Sequence, residues 1–300
     1  MENTVMTRVS GGGQSNLSSL TGIGAGIEPF CAAEKRTIKP GFTLAEVLIT
    51  LGIIGVVAAM TMPTLMNRTK NKELHTAFLK TYSELNQLAA LFVADNGVSV
   101  SEYASTNPTK AVTDKIFSYY KGRNNLSDSM VSADKDGNFK PYYSMNTLNG
   151  KSYSAGANSQ GKDSSFLCDN SSFKSSANGA LYVFNDLPAA DSGQNGPVIC
   201  VDVNGKKAPN RYGVDYFMFI FTVDGRVLPV GQEHKNNPSP CSSSTGSCKN
   251  FNNIGSEYCS NKVSDISKNT SCAYYALTNT HPTKEGKDYW NDFLGEVYSR

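Results

Sequence analysis

The sequence predicts an α+β fold: a long N-terminal α-helix whose first half spans a membrane, packed on a C-terminal antiparallel β-sheet head domain. Three observations predict it. Residues 42–66, FTLAEVLITLGIIGVVAAMTMPTLM, form 25 residues of almost unbroken apolar character with one charge, Glu46. A three- and four-residue apolar periodicity then continues to about residue 95. Four short runs of β-branched and aromatic residues follow between residues 180 and 230.

Each element has a local cause. About 20 apolar residues cross the hydrocarbon core at 1.5 Å per residue, so residues 42–66 are long enough to do so. Basic residues flank both ends, Lys35, Arg36 and Lys39 before and Arg68, Lys70 and Lys72 after, so charge alone gives no orientation. Beyond Met66, Leu74, Ala77, Phe78, Thr81, Leu85, Leu88 and Phe92 mark one helical face, while Lys80, Glu84 and Gln87 mark the other. The helix is expected over Thr43–Asp95, with Asn96-Gly97 as its stop.

A short helix is expected at Lys110–Tyr120, with Val112, Ile116 and Phe117 facing inward. The Ser/Asn/Gly-rich stretch from Gly122 to Gly179 reads mostly as loops. Strands are expected at Ala180–Phe184, Val198–Val203, Tyr216–Val223 and Arg226–Val230, with Asp224-Gly225 as a two-residue hairpin turn. The segment 231–300 is a cysteine-bearing tail wrapped over the sheet. Within it, Trp290, with Tyr289 and Phe293, reads as a core staple for the C-terminus. The organisation expected is residues 1–41, 42–66, 67–97 and a disulfide-stapled head at 98–300.

Composition narrows the function. Net charge is +2, and the 259 residues from Phe42 onward carry 24 basic and 23 acidic side chains, so no nucleic-acid partner is expected. His75, His234 and His281 have no metal-ligand partner at helical spacing. No nucleophile-elbow, zinc-protease or phosphate-loop motif occurs, so the chain does not read as an enzyme. Of seven cysteines, Cys31 precedes the apolar run. Cys168, Cys200, Cys241, Cys248, Cys259 and Cys272 follow it, an even set that fits three disulfides in an exported domain with all 15 pairings open. The segment Cys241–Cys248 would either close a small loop or contribute two cysteines to distant strands.

Three polar or helix-breaking features interrupt the apolar run. Glu46 is costly at membrane depth unless paired or near the headgroups. Gly52 and Gly55 weaken a helix or permit close helix approach, and Pro63 removes a backbone donor. Val57-Ala58-Ala59 is an alternative small-residue signal-peptidase site, although the run is too long and too far from Met1 for an ordinary signal peptide.

The octapeptide Lys39-Pro40-Gly41-Phe42-Thr43-Leu44-Ala45-Glu46, followed by this run, resembles the processing site of type IV prepilins and type II secretion pseudopilins. The resemblance implies that a prepilin peptidase removes residues 1–41 by cutting after Gly41 and methylates the new N-terminus, Phe42. It implies that Glu46 neutralises the terminal ammonium of a neighbouring subunit during assembly. Gly55 and Pro63 fall where that family has helix breakers. The partners implied are the peptidase, other pilin or pseudopilin subunits and an inner-membrane assembly platform. The location implied is a single pass of the inner membrane with the head outside the cytoplasm, then a pilus or pseudopilus. A head of about 200 residues suggests a minor subunit. An adhesin or uptake receptor of pilin-like build, and an exported protein on an ordinary anchor, are the alternatives.

One loop in the head gathers oxygen ligands: Asp202-Val203-Asn204-Gly205, with Pro209-Asn210 and Asp215 beyond. Calcium takes six to eight oxygens, and some pseudopilins bind it in the head. Asp202, Asn204 and Asp215 are therefore candidate calcium ligands, and a plain Asn-Gly turn between strands explains the same residues. No other cofactor is expected.

Overall fold

The computed structural model describes residues 41–120, 124–127, 131–133, 139–141, 145–153, 173–176, 179–184, 195–236, 254–264 and 266–298. The chain divides into two units, Met1–Ile53 and Ile54–Arg300. The described part of the first consists of residues 41–53, where the helix α1 (Leu44–Asn96) begins. Leucine and alanine, both strong helix formers, are the commonest residues of α1, 16 of its 53. Their summed propensity carries the helix through Gly52, Gly55 and Pro63 without interruption. Pro63 has no N–H, so the Ala59 carbonyl has no helical donor four residues on.

In the second unit α1 turns amphipathic, and its inner face matches the expected stripe. Leu74, Phe78, Thr81, Leu85, Leu88 and Phe92 are buried, with Asn71 and Ala89 added to the same face. The helix ends where the sequence supplies a left-handed residue. Gly97 (φ +72°) donates its N–H to the Val93 carbonyl at 2.9 Å, a left-handed C-terminal cap. Two short helices follow, α2 (Val100–Thr106) and α3 (Thr109–Ser118). The sequence reading lacked α2. Its cap was visible, since Ser99 Oγ accepts the Glu102 N–H at 3.1 Å, but seven residues are too few for periodicity to show. In α3, Val112, Ile116 and Phe117 are buried as expected.

The sheet has six strands: β1 (Asn124–Ser127), β2 (Phe173–Ser175), β3 (Leu181–Phe184), β4 (Val198–Asp202), β5 (Tyr216–Phe221) and β6 (Val227–Pro229). Each pairs antiparallel with the next, so the order in space is the order in sequence. The four expected strands are present. Within 122–179, read as mostly loops, the described residues include β1, β2 and two small ribbons, Val131–Ala133 with Phe139–Pro141 and Met145–Asn146 with Ser152–Tyr153. Polar strands such as NNLS are held by ladder hydrogen bonds and carry no alternating pattern to read.

The hairpin turn is also corrected. Thr222 pairs with Arg226 (N to O 2.8 Å), and the Gly225 N–H bonds the Thr222 carbonyl at 3.0 Å. Three residues therefore form the loop, with Gly225 (φ +80°) in the left-handed position that a three-residue hairpin needs.

The core lies between α1 and one sheet face. Phe78 meets Phe217 edge-on at 4.7 Å between centroids, with Phe219 at 5.6 Å and Trp290 at 5.8 Å. The register places Val201 opposite Phe217 and Ile199 opposite Phe219, so this face is apolar across neighbouring strands. The C-terminal segment closes the far side with α4 (Cys272–Thr278), a π-turn at Tyr289–Phe293 and α5 (Leu294–Tyr298). Trp290 is the expected staple. Its Nε1 donates to the Ala276 carbonyl at 3.0 Å, its own carbonyl accepts from Asn71 Nδ2 at 2.5 Å, and its ring stacks on His75 at 4.9 Å. Cys259 and Cys272 form a disulfide, and Cys200 is also disulfide-bonded. Cys168, Cys241 and Cys248 lie outside the described residues, as do residues 1–40 with Cys31.

Candidate functional site

At the N-terminal end, residues 41–43 are non-helical and exposed, and α1 begins at Leu44. The bond after Gly41 therefore lies outside the helix in open backbone, the form a protease can engage; Phe42 is 90% exposed. Thr43 and Glu46 form a capping box. Thr43 N and Thr43 Oγ1 both donate to Glu46 Oε2 at 2.8 Å, and Glu46 N donates back to Thr43 Oγ1 at 3.2 Å. The sequence reading had Glu46 as a charge in an apolar run with an assembly role implied by resemblance, and not as a helix cap. The geometry adds that its carboxylate satisfies the start of its own helix.

Along residues 42–66 the large side chains are exposed, including Leu48, Ile49, Leu51, Ile53, Ile54 and Val56. Two threonines in this stretch satisfy their hydroxyls on the helix itself: Thr50 Oγ1 donates to the Glu46 carbonyl at 2.9 Å and Thr61 Oγ1 to the Val57 carbonyl at 3.0 Å. A helix with an apolar exterior and internally satisfied polar groups is what a lipid environment requires. It is one helix long and apolar enough to cross a membrane. Gly52 and Gly55 have nothing within 4 Å of a notional Cβ, leaving their surfaces open to a neighbouring helix.

In the head, the ladder brings together the candidate cation ligands. Asp202 ends β4, and the Val203 N–H bonds the Asp215 carbonyl at 2.8 Å, so the two aspartates adjoin although 13 residues apart. Both are fully buried. Asp202 Oδ1 accepts the Asn204 N–H at 3.2 Å; Asp215 accepts the N–H groups of Asn210 at 2.9 Å and Arg211 at 2.6 Å. Burial, then the neighbouring Asp215 charge, pushes the Asp202 carboxyl well above the usual carboxylate range. Burial pushes Asp215 up to about 6, against the pull of its backbone N–H bonds.

Three buried oxygens here have no hydrogen-bond partner: Asp202 Oδ2, Asn204 Oδ1 and Asn210 Oδ1. Buried polar atoms are ordinarily satisfied, and a set of oxygen acceptors without donors beside two carboxylates suits a hard cation. The described residues contain no cluster of three or more His, Cys, Asp or Glu side chains, so this set is two carboxylates and two amides. Gly205 (φ +71°) permits the tight loop, since a Cβ there would strike the Gly179 carbonyl.

The three histidines are dispersed. His75 stacks on Trp290, His234 faces Asp224 at 3.6 Å, and His281 donates or accepts across 3.3 Å to Glu296. His281 lies in a cleft of about 450 Å³ with Lys262, Lys284, Phe293 and Glu296, where Lys284 also holds Glu296 at 2.5 Å.

Residues 38–62 match the family model of the prokaryotic N-terminal methylation motif. No curated protein and no solved structure matches the chain. The matched segment contains Gly41, Phe42, the Thr43–Glu46 capping box, Gly52 and Gly55, and ends just before Pro63. The chain thus carries the N-terminal signature of type IV pilins and pseudopilins on an α+β body.

Proposed function

We propose that this chain is a minor subunit of a pilus or secretion pseudopilus, processed after Gly41, methylated at Phe42 and assembled through α1. The observation that supports this best is the methylation motif at residues 38–62, lying on a helix whose apolar side chains are exposed. Before assembly the helix is held in the inner membrane with the head outside the cytoplasm. In the filament the same apolar surface packs on neighbouring helices, and Glu46 takes the ammonium of a neighbour's Phe42. The partners are a prepilin peptidase, other subunits of the filament and a membrane platform. Shearing cells and probing the released filaments for this chain tests the assignment. The chain should appear there as a minority component in processed form, and its absence from filaments with full retention in the membrane contradicts the proposal.

We propose further that Asp202, Asn204, Asn210 and Asp215 hold calcium. The supporting observation is the three partnerless buried oxygens between two repelling carboxylates. The ion would offset that repulsion and lock the loop 203–215 to the end of β4. At a hundredfold excess over its Kd, calcium should add about 2.7 kcal/mol to the stability of the head. Chelation should reverse the gain in a thermal melt. Asp202→Asn should melt no lower than the calcium-free parent, because it removes a buried repulsion, and should not respond to calcium. A parent melt indifferent to calcium and chelator contradicts the site.

A further inference from the structure

Arg68, Lys70 and Lys72 follow the last apolar residue, Met66, within six positions. Lys70 does not stand alone: its Nζ donates to the Ala208 carbonyl at 3.1 Å, tying the loop after β4 to the helix at that level. The loop carries Lys206 and Lys207, both exposed, in the two positions before Ala208. Residues 67–73 and 203–209 together hold five basic side chains and one acidic one, Glu73. Asp288 and Asp292 approach from the C-terminal segment beside Trp290, whose carbonyl Asn71 holds. Both are committed within that segment, Asp288 to the N–H groups of Asn291 (2.6 Å) and Asp292 (3.0 Å), Asp292 to Lys287 at 3.6 Å. The Asp215 carboxylate also lies within electrostatic reach of Lys70. With Glu73, Asp202, Asp215, Asp288 and Asp292 set against Arg68, Lys70, Lys72, Lys206, Lys207, Arg211 and Lys287, this ring keeps two more basic than acidic side chains.

Its height is set by the helix. Four residues separate Met66 from Lys70, a rise of about 6 Å. The headgroup zone on each side of the hydrocarbon core is about 5–7 Å deep. When the apolar segment is in the bilayer, Lys70 lies at the outer edge of that zone. Lys207 lies at the same level, within reach of lipid phosphates.

We propose that this collar, formed by Arg68, Lys70 and Lys72 with Lys207 at the loop tip, docks on the anionic phospholipid surface of the outer leaflet while the chain awaits assembly. The inference rests on the membrane-held reading of residues 42–66. The partner is a lipid surface because the positive ring is continuous with the membrane-spanning segment and complements anionic headgroups in charge. Each basic residue near such a surface contributes about 1 kcal/mol, and the attraction fades beyond a Debye length.

The test places the full chain in vesicles of phosphatidylcholine alone or with phosphatidylglycerol, scores flotation, and measures the rate at which an amine-reactive reagent labels individual lysines. Lys115 serves as the internal reference. It lies on α3, which packs through Tyr119 on Phe92, 26 residues of helix beyond Met66. The chain should float in both compositions. Phosphatidylglycerol should slow labelling of Lys207 by about fivefold, the equivalent of about 1 kcal/mol, leave Lys115 unchanged, and lose its effect in high salt. Flotation in both with equal labelling rates overturns the collar and leaves the membrane-held reading standing. Failure to float in either overturns that reading, and the collar with it.

Discussion

Glu46→Gln should leave cleavage after Gly41 and membrane insertion intact while reducing incorporation into filaments by two orders of magnitude or more. The substitution separates two roles that the structure superimposes. As the N3 residue of the capping box, Glu46 accepts the Thr43 N–H and hydroxyl at 2.8 Å. Glutamine serves a capping box as well as glutamate does. It therefore preserves the start of α1 and removes only the charge. A carboxylate and an ammonium about 4 Å apart in a medium of effective dielectric near 20 attract by about 4 kcal/mol, roughly a thousandfold in an equilibrium. Immunoblots of membrane and sheared-filament fractions measure the ratio. Parental incorporation of the Gln variant would confine Glu46 to its helix cap, whereas Glu46→Ala loses cap and charge together.

Phe78→Ala should cost the head about 3–5 kcal/mol, the range for emptying a buried phenylalanine site. Phe78 is fully buried and meets Phe217, Phe219 and Trp290, so its ring joins α1, strand β5 and the C-terminal segment. Domains of this size hold about 5–15 kcal/mol in total, so one substitution should lower the melting temperature by roughly 10 °C. The contrast is Leu79→Ala, one residue further on and 42% exposed. It should change stability by less than about 0.5 kcal/mol. Thermal melts of the detergent-solubilised full chain decide it; equal losses at 78 and 79 would mean that the inner face of α1 is misplaced.

The legible parts of this chain were those with long or dense patterns. The stripe from Leu74 to Phe92 repeats at helical spacing over several turns, and YFMFIF at β5 leaves little alternative to a buried strand. What escaped was short or tertiary. The strands NNLS and FKS are polar and defined by their neighbours' backbones. The seven-residue α2 announces itself only through Ser99 and Glu102. The hairpin at Asp224-Gly225 was placed correctly, yet its loop length depends on the Thr222–Arg226 pair rather than on the turn residues. Asp202, Asn204 and Asp215 were marked from spacing, but their burial and mutual repulsion come from the β4–β5 ladder. Asn210 lies on the same cluster through a left-handed backbone (φ 47°) that its sequence position does not reveal. The Cys259–Cys272 bond belongs to three of the 15 pairing schemes of six cysteines, with nothing local to favour it.

The claim on which the rest depends is processing at the Gly41–Phe42 bond. Mass spectrometry of the intact chain and its N-terminal peptide, purified from membranes of the native host, tests it most directly. The chain should begin at Phe42 and carry a methyl group on its α-amino nitrogen. A chain retaining Met1, or one beginning at Met60 after cleavage behind Val57-Ala58-Ala59, would contradict it.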